Sequence, residues 1–229
     1  MVKTEEVIGG KNCIICSGSS IEAVLIQPIA QEDEEWLEEE LSYIRKSAGD
    51  NFLLAAFVVK DWNGELSPWK SVPVFKGGDF AGGADETLNF VVRELLPHIY
   101  GKFGLSSDVK RIIGGYSLAG LFSLYCAYWT DHFAAVAAAS PSVWFPGWID
   151  YVRENRALTR VVYLSLGETE ELTKNQTMSK VGDNIREMAD IYAHSAAIKA
   201  VKLEWNEGNH FTDPDIRTAK GFAWALKNI

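Results

Sequence analysis

The chain is predicted to fold as an α/β protein, with a mostly parallel central sheet and helices on both faces. Three features carry this expectation. Short apolar runs alternate with longer segments whose apolar residues recur at helical spacing, the pattern of strand–helix–strand units joined by right-handed crossovers. Residues 51–59 (NFLLAAFVV) are apolar almost throughout, as a strand buried on both faces requires. Residues 111–125 (RIIGGYSLAGLFSLY) pass from an apolar strand through two glycines and one serine straight into an apolar helix. Because the chain has 229 residues and no linker-like stretch, residues 1–229 are expected to form one domain.

Taken in order, Lys11–Ser17 and residues 21–27 are expected as two strands, the second stopped by Pro28. The segment QEDEEWLEEELSYIRKSAG then gives a helix with Trp36, Leu37, Leu41 and Ile44 on one face. Its early acids and its late Arg45 and Lys46 suit the helix dipole. The acidic run is expected as a solvated face and not as a metal site. After the 51–59 strand, residues 60–83 form a long Gly- and Pro-rich loop carrying Trp62, Trp69, Phe75 and Phe80. Such a loop suits a pocket wall or a segment packed on its own aromatics. Leu88, Val91, Val92, Leu95, Leu96 and Ile99 mark a helix over residues 85–100. Beyond the serine, Leu118–Trp129 is a helix apolar on nearly every side, so it packs against the sheet. HFAAVAAAS and RVVYLSL are expected as buried strands, and Met178, Val181, Ile185, Met188 and Tyr192 line a long helix ending near His194. Residues 198–205 form the last strand, and Ile216, Ala219, Phe222, Ala223 and Leu226 mark a terminal amphipathic helix.

A formal net charge of −9 repels phosphate backbones and anionic lipid, which excludes nucleic acid and a membrane surface as main partners. The start, MVKTEEVIGG, lacks the basic and apolar regions of a secretory signal, and a cytoplasmic protein is expected. Cys13, Cys16 and Cys126 are too few for a zinc quartet or a disulfide framework. Cys13 and Cys16 lie in a β-branched run, not at the helix N-terminus that activates a redox C-x-x-C.

The serine turn is the candidate for chemistry. A sharp strand-to-helix turn crowds the positions two residues either side of its apex, and Gly115 and Ala119 are both small. Ser117 then stands at a helix start, where unpaired N–H groups can hold an oxyanion. The same pattern fits a glycine-rich turn with Ser117 as an N-cap, so the remaining residues decide. A serine hydroxyl needs a base to remove its proton. Of four histidines, His98, His132 and His194 have surface or capping explanations, whereas His210 follows the last strand, at the sheet edge that Ser117 occupies. The imidazole needs a carboxylate in turn. Glu168, Glu170 and Glu171 follow RVVYLSLG; Glu170 is the choice because a turn through Gly167 commonly sets the acid over the sheet edge, with Glu168 next and three solvated carboxylates as the alternative.

The order Ser117, Glu170, His210 is that of α/β hydrolases. From about residue 21 to the end, the sequence resembles that superfamily. GGYSLAGLFSLY, SPSVWF, SLGETEE and GNHF are similar to the esterases related to esterase D and to the enterobactin-type siderophore esterases. The resemblance implies an α/β-hydrolase three-layer sandwich and a serine hydrolase that cleaves a carboxylic ester through an acyl-enzyme; the short stretch between the strand ending at Ala139 and the next helix leaves no insertion for a large lid domain. It implies no metal and no organic cofactor. Ser117 would be the nucleophile, His210 the base and Glu170 its orienting acid, with Leu118 N–H forming half the oxyanion hole. The other half would come from the loop after the third strand, mapped to VLIQPIA; Pro28 has no N–H, which leaves Ile29. Ala119 in place of a glycine, and IQPIA in place of HGGG, depart from many relatives. Trp62, Trp69 and Trp144 are candidates for substrate-pocket walls, and each could equally be core. A small-molecule ester, sugar-linked or siderophore-like among the options, is the expected partner; no stretch specifies an oligomer. An acyltransferase or peptidase with the same triad, or a non-catalytic ligand-binding module of the same fold, are the competing readings.

Overall fold

A computed structural model describes residues 1–74 and 79–229. Phe75, placed in the 60–83 loop by sequence, lies outside the described residues. The core is an eight-stranded sheet in the order β1-β2-β4-β3-β7-β8-β9-β10. These strands are β1 (Val2–Ile8), β2 (Lys11–Ser17), β3 (Ala23–Ile29), β4 (Phe52–Val58), β7 (Lys110–Tyr116), β8 (Ala135–Ala139), β9 (Val161–Gly167) and β10 (Ala200–Asn206). Only β2 runs against the others. The helices are α1 (Leu37–Ala48), α2 (Trp62–Leu66), α3 (Ala84–Phe90), α4 (Leu96–Phe103), α5 (Leu118–Trp129), α6 (Trp148–Glu154), α7 (Val181–Ala193) and α8 (Pro214–Leu226). Two-residue strands β5 (Lys70–Ser71) and β6 (Phe80–Ala81) pair as a small ribbon.

Alternating side chains on each strand feed two cores, which is why β4 reads as continuously apolar. Leu53, Ala55 and Phe57 join the core beneath α3, α4, α5 and α7, while Phe52, Leu54, Ala56 and Val58 face α1 and α8. Helix, sheet and helix make three layers. The link from β8 to α6 is residues 140–147, which leaves no space for a lid domain.

Several elements differ from expectation, the unpredicted helix α6 and the β5–β6 ribbon among them. β1 was not predicted, because its Lys, Thr and Glu side chains are largely solvent-exposed and its stability comes from the ladder with β2. The signal was Gly9-Gly10, a two-residue hairpin loop in which both φ values are positive (54° and 80°). β3 continues through Pro28 and Ile29. The Ile29 carbonyl accepts from Val59 N–H, so Pro28 faces the opposite, β7 side, where pairing has already ended at Ile26; no ladder donor is lost there. Within 60–83, Asp61 accepts from Gly64 N–H at 2.9 Å, and Glu65 accepts from the N–H groups of Lys60 and Asp61, folding α2 out of the expected loop. The 85–100 helix carries a π-turn at Val91–Leu95, where Leu96 N–H reaches back to Val91 carbonyl. Pro97 follows, and a wider turn relieves the clash and the missing donor that it brings to a regular helix.

One α1 carboxylate departs from the solvated face. Glu40 is 2% exposed and accepts from Gln27 Nε2 at 3.1 Å. Burial pushes its pKa up to about 8, with Asp215 and Asp33 adding repulsion and the Gln27 bond opposing. The folded carboxyl is therefore neutral where the unfolded one ionises near 4.5. Its contribution to stability is complete below pH 4.5 and is lost as pH rises to about 8. Glu40→Gln should match wild type near pH 4.5 and exceed it by roughly 5 kcal/mol at pH 8.5. Thermal unfolding at both pH values checks this; equal differences at the two would contradict it.

Candidate active site

Ser117 sits between β7 and α5 with φ 56° and ψ −120°, a conformation that strains any residue with a Cβ. The turn is as tight as its sequence requires. A Cβ on Gly115 would lie 2.7 Å from Ala119 Cβ, and one on Gly120 would lie 3.0 Å from the Gly115 carbonyl oxygen. Ala119 is fully buried and fits, so the missing glycine costs the turn nothing. The strain is held by Ser117 N–H donating to Ala139 carbonyl at 3.1 Å and by Ser142 N–H donating to Ser117 carbonyl at 3.0 Å.

The structure brings the three sequence-chosen side chains into one relay. His210 Nε2 is 3.0 Å from Ser117 Oγ, and His210 Nδ1 is 2.7 Å from Glu170 Oε2. Each comes from the carboxyl end of a different strand: β7 for Ser117, β9 for Glu170 and β10 for His210. The alternatives separate cleanly. Glu168 is exposed, and Glu171 is tied to Arg186 at 2.8 Å. His98 pairs with Glu6, His194 with Asp190, and His132 is exposed.

The Glu170 side chain is only 5% exposed, and its other oxygen, Oε1, accepts three hydrogen bonds: from Gly167 N–H (2.7 Å), Ser140 Oγ (2.8 Å) and Arg217 (3.1 Å). Burial opposes ionisation most strongly, yet the His210 bond and charge, with the Gly167 and Ser140 donors, hold the carboxyl below its ordinary range. Ser140, Ser142 and Arg217 escaped the sequence reading. Ser140 has φ 42°, a backbone state that sequence does not reveal. Ser142 Oγ lies 3.3 Å from Ser117 Oγ. Arg217 had a legible signal, since it precedes Gly221 and Ala225 at helical spacing on the buried stripe of α8.

A cavity of about 540 Å³ opens over Ser117, bordered by Trp62, Phe80, Trp144, Met178, Val181 and Phe211. Two of the three expected tryptophans are thus wall residues. Trp69 is not: it donates to Pro146 carbonyl at 3.0 Å and packs on Phe145 and Trp148, as part of the core beneath. Leu118 borders the cavity as the first residue of α5, where its N–H has no intrahelical acceptor. Ile29 does not border it. Its N–H and carbonyl share one side of β3, and the Val59 bond shows that side to face β4, away from Ser117. The first turn of α2, at Trp62 and Asn63, borders the cavity instead.

Cys13, Cys16 and Cys126 are free and buried, and burial pushes the Cys13 thiol up to about 11, which leaves it unreactive. Among the described residues, no helix is long and apolar enough to cross a membrane.

The sheet order, the reversed β2 and the strained serine between β7 and α5 define an α/β-hydrolase fold. A family model described as "Putative esterase" matches residues 45–209, and the chain belongs to this family of carboxylic-ester hydrolases. Siderophore hydrolase EstA from Aspergillus nidulans is similar in structure, with TM-score 0.76, 17% identity, and 99% of this chain and 94% of that one covered. EstB, a siderophore hydrolase from the same organism, gives TM-score 0.72 at 16% identity, covering 97% and 93%. The BES protein from Bacillus cereus gives 0.66 at 18%, covering 98% and 94%. A sequence search among curated proteins returns no match.

Proposed function

We propose that this single-domain chain cleaves a small carboxylic ester through a Ser117–His210–Glu170 triad and an acyl-enzyme. The observation that carries the reading is the unbroken relay from Glu170 Oε2 through both imidazole nitrogens to Ser117 Oγ. Ser117 Oγ attacks the ester carbonyl carbon as His210 Nε2 takes its proton, and Glu170 stabilises the imidazolium that forms. The oxyanion is held by Leu118 N–H and by an N–H from the first turn of α2, at Trp62 or Asn63, in place of Ile29. Collapse releases the alcohol, protonated by His210, and leaves the acyl group on Ser117. Water, deprotonated by His210, then frees the acid and restores the serine.

Among the described residues, the walls supply aromatic and aliphatic surface and no lysine or arginine, which suits an uncharged ester. The fold likeness to EstA and EstB adds siderophore esters to the substrates to be tried. A cytoplasmic location belongs to the same reading and rests on three unpaired cysteines. The test is labelling with a fluorophosphonate probe, which traps an activated serine. Wild type should label and both Ser117→Ala and His210→Ala should not; equal labelling of wild type and Ser117→Ala would remove Ser117 from its role.

A further inference from the structure

We infer that Arg217 is the positioning residue of the catalytic acid: it fixes one oxygen of Glu170 and offsets the carboxylate's charge where His210 meets it. The inference rests on the triad reading above. Arg217 is 2% exposed, deep in the first turns of α8. One terminal nitrogen reaches Glu170 Oε1 at 3.1 Å, Tyr116 hydroxyl at 3.2 Å and Ser140 Oγ at 3.3 Å, and the other donates to Glu207 carbonyl at 2.8 Å. Those partners stand at or just beyond the ends of β7, β8, β9 and β10. A single side chain therefore ties together the strand ends and loops that carry Ser117, Glu170 and His210.

Its charge matters as much as its reach. A lone buried carboxylate 2.7 Å from an imidazole favours the imidazolium, which cannot accept the serine proton. Arg217, on the far oxygen, opposes that pull and leaves Oε2 free to bond His210. The other groups around His210 do not supply this balance. Tyr116, whose hydroxyl donates to His210 carbonyl, is pushed up to about 12 by burial and stays neutral. Glu168, Glu207 and Asp213 are exposed, and Glu207 offers Arg217 only its main-chain carbonyl.

The experiment is the pH profile of kcat/KM on a short-chain nitrophenyl ester. Arg217→Gln should move the acid limb upward by about one pH unit. Arg217→Lys, which keeps the charge, should lower kcat while leaving the limb in place. Arg217→Gln combined with Glu170→Gln removes both charges and should return the limb towards wild type at a reduced rate. If Arg217→Gln fails to fold while the double variant folds, the charge pairing is supported, because an unpaired buried carboxylate is the defect. A limb unmoved in folded Arg217→Gln, or failure of both variants to fold, overturns the inference and makes Arg217 a packing residue. Ser117→Ala, assayed alongside, separates the two levels: if it abolishes turnover and the limb does not move, only the role of Arg217 falls.

Discussion

Ser117→Ala is expected to lower kcat for ester hydrolysis by roughly a million-fold, to a residue of activity set by the oxyanion donors and binding alone. The only nucleophile at the apex of the turn is its Oγ, 3.0 Å from His210 Nε2. Ser142 Oγ, 3.3 Å away, is no substitute, since its hydrogen bond is to Ser117 and the imidazole bonds Ser117. His210→Ala should cost about as much, and the double variant little more, because the two act as one unit. Steady-state kinetics on nitrophenyl acetate or butyrate measure all three. A Ser117→Ala enzyme within tenfold of wild type is incompatible with the triad. A double variant far worse than either single one would mean that the two residues act separately.

Glu170→Gln is expected to lower kcat by about ten-thousand-fold, with Glu168→Gln and Glu171→Gln within a few-fold of wild type. The asymmetry follows from the donors around Glu170. Oε1 faces Gly167 N–H, Ser140 and Arg217, so a glutamine must keep its oxygen there and turn its NH2 towards His210. Nδ1 must then accept, which puts the imidazole proton on Nε2 and points a donor, not a base, at Ser117. Glu168 is exposed, and Glu171 holds only the partly exposed ion pair with Arg186. The three variants assayed side by side decide the acid. Loss confined to Glu168→Gln would reassign it.

Much of the architecture was readable because each element carries its own local signal. The apolar run of β4 and the small residues at Gly115 and Ala119 are demands of packing written directly into residue size and polarity. β1 was missed because an edge strand needs little burial, so its charged side chains hide it. Pro28 was read as a stop because sequence does not show on which side of β3 the ladder ends. Glu40 was read with its solvated neighbours because one inward carboxylate on an acidic helix looks like the others.

The sequence by itself determined the three-layer order, the serine at the sharp turn, and the choice of His210 from its place after the last strand. These are one-dimensional facts: periodicity, size and chain order survive without knowing what touches what. Only the tertiary structure decided that Ile29 faces β4, that Trp69 is core while Trp62 and Trp144 are wall, and that Arg217 and Ser140 hold the far oxygen of Glu170. Each depends on the direction of a backbone N–H or the meeting of side chains from distant strands. Direction and long-range contact are set by the packing of the whole chain, and no local stretch of residues encodes them.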